Sequence, residues 1–575
     1  MPTRRRLIAL TPTLPLIGCG ALRNQKMPSD RADLILVNGD VHTVDQRDRH
    51  VSAVAISGNQ VIATGSEDSL SPLLTTATRR IDLQGRTVLP GINDSHLHLL
   101  MWGLGKPPFS LDVTYPTVRS ISDITDQVKQ AAGSRPLGNW IVGRGWDEPY
   151  LAEGRAPTAA DLDAVAPDHP VALTDFSGHA MWVNSKAMAL VGIQADTVPP
   201  PGGVIVKNAQ GQPTGLLFEG AAWMVRQKIP DPSEQEQRDA VQAAMQLMLQ
   251  QGVTSCTIPG LSLPLLSLFN QLSGESFSEK LRINAMLRAP DSVVGLEKLL
   301  PQYLQMESNA PLWLQLNAVK IMGDGIPTAN KTAWLHQEYE GGGNGSLLLA
   351  GDTHADRVEE LQNMINLIHS NGLQIGTHVT GDKSIDTTIN AYQAAQQKNY
   401  RKDPRHYLIH ADLVSEETLA AMAAGGFGAN FNPEIKHLIA DSQVHSIGST
   451  RAAYEWPYRS AIDAGVITAS SSDAPVTPGN WLQGIATCMD RKGKQSGKVS
   501  GPEQRISLDE AVRTYTWAGA WQDRAETFKG SLQPGMLADL CVVDERLSDA
   551  ETSSIAGAKV CMTLVDGNLV HDTLT

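Results

Sequence analysis

Cysteine is scarce in this chain: five in 575 residues, at Cys19, Cys256, Cys488, Cys541 and Cys561, with no C-x-x-C pair. That excludes a disulfide framework and a cysteine-built structural zinc cluster. The four beyond Cys19 read as small buried hydrophobes. Aromatic residues are only 5%, which leaves no aromatic-rich binding platform. Positive charge is in deficit, 47 Lys and Arg against 61 Asp and Glu, for a net charge of -14. That balance argues against nucleic-acid binding through a basic surface. Beyond the N-terminus no run reaches the ~18 apolar residues of a membrane-spanning helix, so none is expected. What remains, 41% hydrophobic and 19% charged, is ordinary globular composition long enough for two or three domains.

The N-terminus is different. Thr3-Arg-Arg-Arg-Leu-Ile8 is basic, an apolar run reaches Ile17, and Leu16-Ile-Gly-Cys19 closes it. The run is too short to span a bilayer. The tandem arginines resemble a twin-arginine export signal, and the ending resembles a bacterial lipobox in which Cys19 carries lipid. The expectation is an exported, periplasmic or membrane-anchored bacterial lipoprotein, touching the membrane only through Cys19.

From Asp33 short strands and turns follow one another. Leu34-Ile-Leu-Val-Asn-Gly-Asp-Val-His-Thr-Val reads as strand, Asn-Gly turn and strand. The far end matches in kind, with Gly530 to Asp544 and Ala558 to Val570 reading as turns and hairpins. Two β units flanking a long middle predict that both chain ends build one small β-sandwich.

The middle alternates apolar strands with helical runs, such as Arg357–Ser370 and Glu416–Ala424. This is the pattern of parallel α/β architecture. The first strand is the one that holds His96. Seven more are predicted at Val253–Ile258, Ile283–Arg288, Asn317–Gly323, Leu373–Val379, His406–Ala411, Phe427–Phe431 and Ile467–Asp473. Eight strands fit a TIM-type (β/α)8 barrel, with its active site at the C-terminal strand ends. Residues 131–230 break the rhythm and read as an inserted α+β lid. The division expected is a leader (1–19), a tether (20–31), a first sandwich part (32–90), the barrel start (91–130), the lid (131–230), the barrel remainder (231–525) and a second sandwich part (526–575).

The chain is organised around Leu89-Pro-Gly-Ile-Asn-Asp-Ser-His-Leu-His-Leu99. In an extended strand, residues two apart point to one face. His96 and His98 can therefore reach one metal ion, and Asp94 shares that face. A lone His-x-His pair is often merely exposed, so the weight rests on partners elsewhere. Three later predicted strands carry Lys320, His378 and His410, and the eighth ends at Asp473. A strand-borne lysine usually extends its amine to solvent, and a strand-end aspartate usually caps a helix. A buried lysine is costly unless it is paired or chemically changed. Together with the His-x-His pair, these four make a far more specific constellation than any of them alone.

The stretches LPGINDSHLHL, NWIVGRGWDE, HAMWVNSKAM, PTGLLFEGA, AVKIMGDG, THVTGD, HYLIHADLV, SSSDAPV and GSLQPGMLADLCVVD occur in this order from about residue 33 onward. With them the chain resembles the amidohydrolase superfamily, and within it the YtcJ-like metal-dependent hydrolases that include N-substituted formamide deformylase. The resemblance implies His96 and His98 as ligands to a first metal, and His378 and His410 as ligands to a second. It implies Lys320 as a bridging ligand when N6-carboxylated, and Asp473 as a ligand that is also general base and acid. Zinc, one ion or two, suits the imidazole-rich set, with iron or manganese as alternatives. Trp146, His179 and Glu219 fall in family-like motifs of the insert and are the candidate substrate contacts. The activity implied is hydrolysis of a small molecule's non-peptide C–N bond, of amide, N-acyl or N-formyl type. The alternatives are an ester, a lactone, an exocyclic amine, or a binding protein without catalysis. A homodimer is the oligomer to test for. Trp334 and Trp481 are considered as pocket walls, and Cys256 as an extra ligand at a strand end.

Overall fold

The computed structural model describes residues 30–574, except 177, 201, 277, 278, 329 and 330. The expected leader with Cys19, and nearly all of the tether, lie outside the described residues.

An eight-stranded parallel sheet dominates the fold. Its strands, numbered here in chain order, are β1 (Ile92–Asp94), β2 (Val253–Leu261), β3 (Arg282–Arg288), β4 (Leu314–Met322), β5 (Gln374–Val379), β6 (Tyr407–His410), β7 (Gly428–Phe431) and β8 (Thr468–Ser470). Each pairs with the next in parallel register, and the mixed α/β barrel expected from the sequence is borne out. β8 meets β1 just past their ends. Ser95 N–H donates to Ser470 C=O at 3.5 Å, and Asp473 N–H donates to His96 C=O at 2.9 Å. The strands are buried on both faces, as a barrel wrapped by helices requires. One apolar core joins them to helices such as Glu234–Gln250, His354–Ser370 and Asp382–Lys398.

Two strands are shorter than their apolar runs suggest. β1 stops at Asp94, so His96 and His98 lie beyond it rather than on it. The chain bends at Ser95 and His96 and is held there as Leu97 N–H donates to Thr257 C=O and His98 N–H to Ala474 C=O. β8 stops at Ser470, and Asp473 sits in the left-handed region at φ 58°. Tertiary hydrogen bonds, which local patterning cannot show, set both ends.

Both chain termini contribute to a small β unit. A six-stranded sheet runs in the order Asn568–Asp572, Val560–Val565, Leu540–Val543, Thr87–Pro90, Asp40–His42, His50–Val51. A four-stranded sheet runs in the order Gln60–Gly65, Ala53–Ser57, Leu34–Val37, Arg79–Asp82. Leu36, Val54, Ile56, Val88, Leu540 and Leu564 share one apolar cluster between them. Arg282, at the start of β3, ties this unit to the barrel. Its guanidinium donates to both carboxylate oxygens of Asp539 (2.6 and 3.1 Å) and to Asp566 (3.0 Å).

The insert is a third, six-stranded sheet in the order Val204–Lys207, Pro213–Phe218, Ala180–Val183, Val171–Asp175, Ile141–Trp146, Leu111–Asp112. It begins at Leu111, ahead of the expected residue 131, because Leu111–Asp112 pairs in parallel with Gly143–Arg144. A two-residue strand carries no periodic signal, so the sequence does not mark it. No helix of the described residues is long and apolar enough to cross a membrane.

Candidate metal centre

The carboxyl ends of the barrel strands bring His96, His98, Lys320, His378, His410 and Asp473 into one neighbourhood. Donor atoms of His96, His410 and Asp473 lie within 4.8 Å of one another. Asp473 Oδ1 is 3.2 Å from His96 Nε2 and 3.3 Å from His98 Nε2. The ring centroids of His378 and His410 are 4.5 Å apart, and those of His96 and His410 are 5.1 Å apart. His98 is one-third exposed and opens the cluster to solvent, while His96, His378, His410 and Asp473 are buried.

Local contacts set the orientation of these side chains. His410 Nδ1 faces Asn432 Oδ1 at 2.7 Å, which turns Nε2 toward the cluster. Asn432 Nδ2 in turn donates to Ser471 Oγ at 2.9 Å. His378 Nε2 is 3.3 Å from Gly325 C=O. Lys320 sits on β4 opposite Arg288 of β3, its side chain buried and without a hydrogen bond to any described residue.

The electrostatics suit cation ligation. Burial, then the Lys320 charge, holds the His96 imidazole well below its ordinary value. Burial, then His410 and Lys320, does the same to His378. Burial lowers His410 to about 4. All three are therefore neutral near pH 7, the form whose lone pair binds a metal. Burial raises the Asp473 carboxyl, but His96 and His98 outweigh that and keep it well below its usual range, hence ionised. Burial brings Lys320 down to about 7, with Arg288 adding and Asp473 opposing.

The residues fit a bound cation. Asp473 Oδ1 is a buried oxygen with no hydrogen-bond partner, because both nearby imidazole nitrogens are out of alignment. A buried anion facing several neutral imidazole lone pairs is costly by itself and is satisfied by a divalent ion.

Other expected residues are placed differently. Asp94, read as sharing the histidine face, turns away. It accepts from Ser472 N–H (3.1 Å), Ser472 Oγ–H (2.5 Å) and His96 N–H (3.3 Å), and so staples β1 to the turn carrying Asp473. Trp146, a candidate substrate contact, lies inside the insert rather than at its surface. It is buried in the insert's core, its indole N–H donating to Leu173 C=O at 2.8 Å and its ring edge-on to Trp182. His179 and Glu219 do meet: Nδ1 and Oε1 are 3.0 Å apart, both side chains about half exposed. Glu219 N–H also donates to His179 C=O at 2.9 Å, and Glu219 sits at φ 51°. Trp334, although mostly buried, does line a cavity, with His354, Val358 and Lys383, whereas Trp481 is buried with its indole donating to Gln251 C=O. Cys256 pairs in register with Asp94, and burial keeps its thiol protonated. Asn432 and Ser472 escaped the sequence reading. Their positions just past β7 and β8, the next strand ends after His410, were the available signal.

A parallel barrel that gathers histidines, a buried lysine and an aspartate at its carboxyl strand ends is the architecture of a metal-dependent hydrolase. Residues 79–571 match the amidohydrolase family, and the chain belongs to that family. It is 30% identical over 557 residues to the protein LONG AFTER FAR-RED 3 of Arabidopsis thaliana, covering 94% of this chain and 92% of that protein. It is 26% identical over 552 residues to an N-substituted formamide deformylase of Arthrobacter pascens, covering 94% and 98%. Among solved structures, an uncharacterized metal-dependent hydrolase from Pyrococcus furiosus superposes with a TM-score of 0.68 at 25% identity, covering 89% of this chain and 99% of that one.

Proposed function

We propose that the chain hydrolyses a non-peptide C–N bond of a small molecule, of amide, N-acyl or N-formyl type. The observation that carries the reading is the buried, ionised Asp473 facing the neutral imidazoles of His96 and His410. Similarity to the formamide deformylase along nearly the whole chain supports the N-formyl or N-acyl class.

His96, His98, His378, His410 and Asp473 are the residues that would hold one or two divalent ions, with zinc suited to the donors and iron or manganese as alternatives. Lys320 joins them once its neutral amine adds carbon dioxide, which turns a misfit buried cation into an anionic oxygen donor. When bound, such an ion supplies Lewis acidity and an acidified water at neutral pH. Asp473, ionised beside the reacting centre, accepts a proton from the attacking water. It returns that proton to the leaving nitrogen, so the carboxylate ends unchanged and the C–N bond becomes acid and amine. His98, the most open of the ligands, marks the side from which substrate enters. His179 and Glu219 are proposed as substrate contacts on the insert.

Metal content per chain and a substrate panel test this together. One or two equivalents of zinc, iron or manganese with turnover of N-formyl or N-acyl amines supports the reading. Turnover confined to esters, lactones or exocyclic amines reassigns the bond. No metal after reconstitution, and no turnover, overturns the enzyme. The leader motif adds a separate proposal, export with lipid on Cys19, which fails if labelled fatty acid is not incorporated or if Cys19→Ala still takes it up.

A further inference from the structure

A second cluster of metal-ligating side chains lies on the β unit formed by the two chain ends. His42 and His50 stand directly opposite each other on the antiparallel strands Asp40–His42 and His50–Val51. Opposed residues share a face, and here their ring centroids are 3.9 Å apart. Asp40 lies two residues before His42 on the same face. Donor atoms of Asp40, His42 and His50 are within 4.8 Å of one another. A fourth donor comes from the turn Leu547–Asp549, where Ser548 Oγ reaches all three.

We propose that Asp40, His42, His50 and Ser548 form a zinc site on the terminal β unit, distinct from the barrel centre and braced by Asp509 of the helix Leu508–Thr514.

The spacings suit donors gathered around one zinc ion, with Asp40 facing His42 through one carboxylate oxygen and His50 through the other. Ligands at ~2.0–2.1 Å from zinc stand ~3.3 Å from one another. His42 Nε2 is 3.3 Å from Asp40 Oδ2, and His50 Nδ1 is 3.5 Å from Asp40 Oδ1. Ser548 Oγ is 3.2 Å from His42 Nε2 and 3.4 Å from His50 Nδ1. Ser548 Oγ also donates to Asp40 Oδ2 at 2.5 Å, a contact that must lengthen as an ion enters.

The opposite edges of the two imidazoles carry the support that zinc-bound histidines use. Such histidines present their other ring nitrogen to a carboxylate, which fixes tautomer and orientation. Here one carboxylate serves both rings. Asp509 Oδ1 is 2.9 Å from His50 Nε2 and 3.2 Å from His42 Nδ1. Asp509 lies on the helix Leu508–Thr514, which follows the barrel's last strand, so the site joins parts distant in the chain. His42 Nδ1 is buried yet lacks an aligned hydrogen bond, which leaves room for the small rotation that ligation would bring. Asp40 and His42 are buried, whereas His50 is one-third exposed and gives an ion a way in.

The test uses the full chain in a His96→Ala/His98→Ala background, which weakens the barrel centre. The protein is stripped with a chelator, titrated with zinc, and followed by elemental analysis and thermal unfolding. The expected result is a tightly bound equivalent with a rise in Tm, and a d–d spectrum of tetrahedral type when cobalt(II) replaces zinc. His50→Asn, a change at the one-third-exposed ligand that leaves the buried His42 in place, removes that equivalent and the rise in Tm. Asp509→Ala weakens zinc roughly 10–100-fold without abolishing it. The proposal is overturned if His50→Asn binds zinc as tightly as its parent, or if the parent binds only at millimolar zinc. In the second case the cluster is a proton-satisfied His–Asp network. Because His50 has no part in the barrel centre, loss of hydrolysis in otherwise wild-type protein would bear on the catalytic reading and not on this one.

Discussion

Asp473 Oδ1 lies 3.2 Å from His96 Nε2, and the two residues follow the last and the first strand of the barrel. Their approach is the closure of the barrel itself: Asp473 N–H donates to His96 C=O at 2.9 Å, and Ser472 binds Asp94 through both its amide and its hydroxyl. The seam that completes the fold is also the seam that assembles the candidate centre.

Asp473→Asn keeps the shape of the side chain but cannot accept the water's proton. Turnover is expected to fall by roughly 10²–10⁴-fold, the range for loss of a general base. Metal content should stay within a factor of two of wild type. Steady-state kinetics beside elemental analysis checks this, and unchanged turnover would remove the role given to Asp473.

Asn432→Ala removes the group that holds His410 Nδ1. The ring then loses its fixed orientation. Metal affinity is expected to drop roughly 10–100-fold, measured by competition with a chromogenic chelator. Equal affinities would mean that His410 is held by packing alone.

Lys320 has its lysine value lowered from 10.5 to about 7 by burial. The amine is thus mostly charged at pH 6 and mostly neutral at pH 8, and only the neutral form adds carbon dioxide. Reconstitution of stripped protein with metal and bicarbonate should be several-fold faster at pH 8 than at pH 6. A carbamate signal from carbon-13 bicarbonate should appear in wild type and be missing in Lys320→Met. A rate that falls with rising pH contradicts the assignment.

Glu434 is buried behind Asp94, with Oε2 accepting from Thr477 Oγ1–H and Asn480 N–H and Oε1 unpartnered. Burial, then the Asp94 charge, raises its carboxyl from 4.5 to about 8. The folded state therefore binds this proton more tightly than the unfolded chain does. The stabilisation is complete below pH 4.5 and is lost as pH rises through 8. Glu434→Gln cannot ionise, so its stability, followed as Tm, should gain on wild type from pH 5 to about pH 8 and level off above that. The gain is a few kcal/mol at most, at ~1.4 kcal/mol per pKa unit. Parallel Tm curves would show that the carboxyl is not raised.

His179→Ala breaks the exposed pair with Glu219. An exposed ion pair is worth only ~0–1 kcal/mol to stability, so Tm should hardly move. If the pair meets substrate, KM should rise several-fold, whereas a purely structural pair leaves both kcat and KM as they were.

The sequence by itself determined the barrel's rhythm, because a strand buried on both faces must be a short continuous apolar run and a helix that covers it must be periodic. It also marked the candidate centre: Lys320, His378 and His410 stand out as polar residues in or at the end of otherwise apolar strands, where only function or pairing tolerates them. Hydrogen bonds between distant segments decided the rest. They end β1 at Asp94, two residues before His96, and turn Asp94 onto Ser472. They draw Leu111 into the insert's sheet and leave Trp146 buried within that insert. They also set His42, His50 and Asp509 together, residues with no shared motif, because strand pairing and helix docking bring side chains near one another regardless of their separation along the chain.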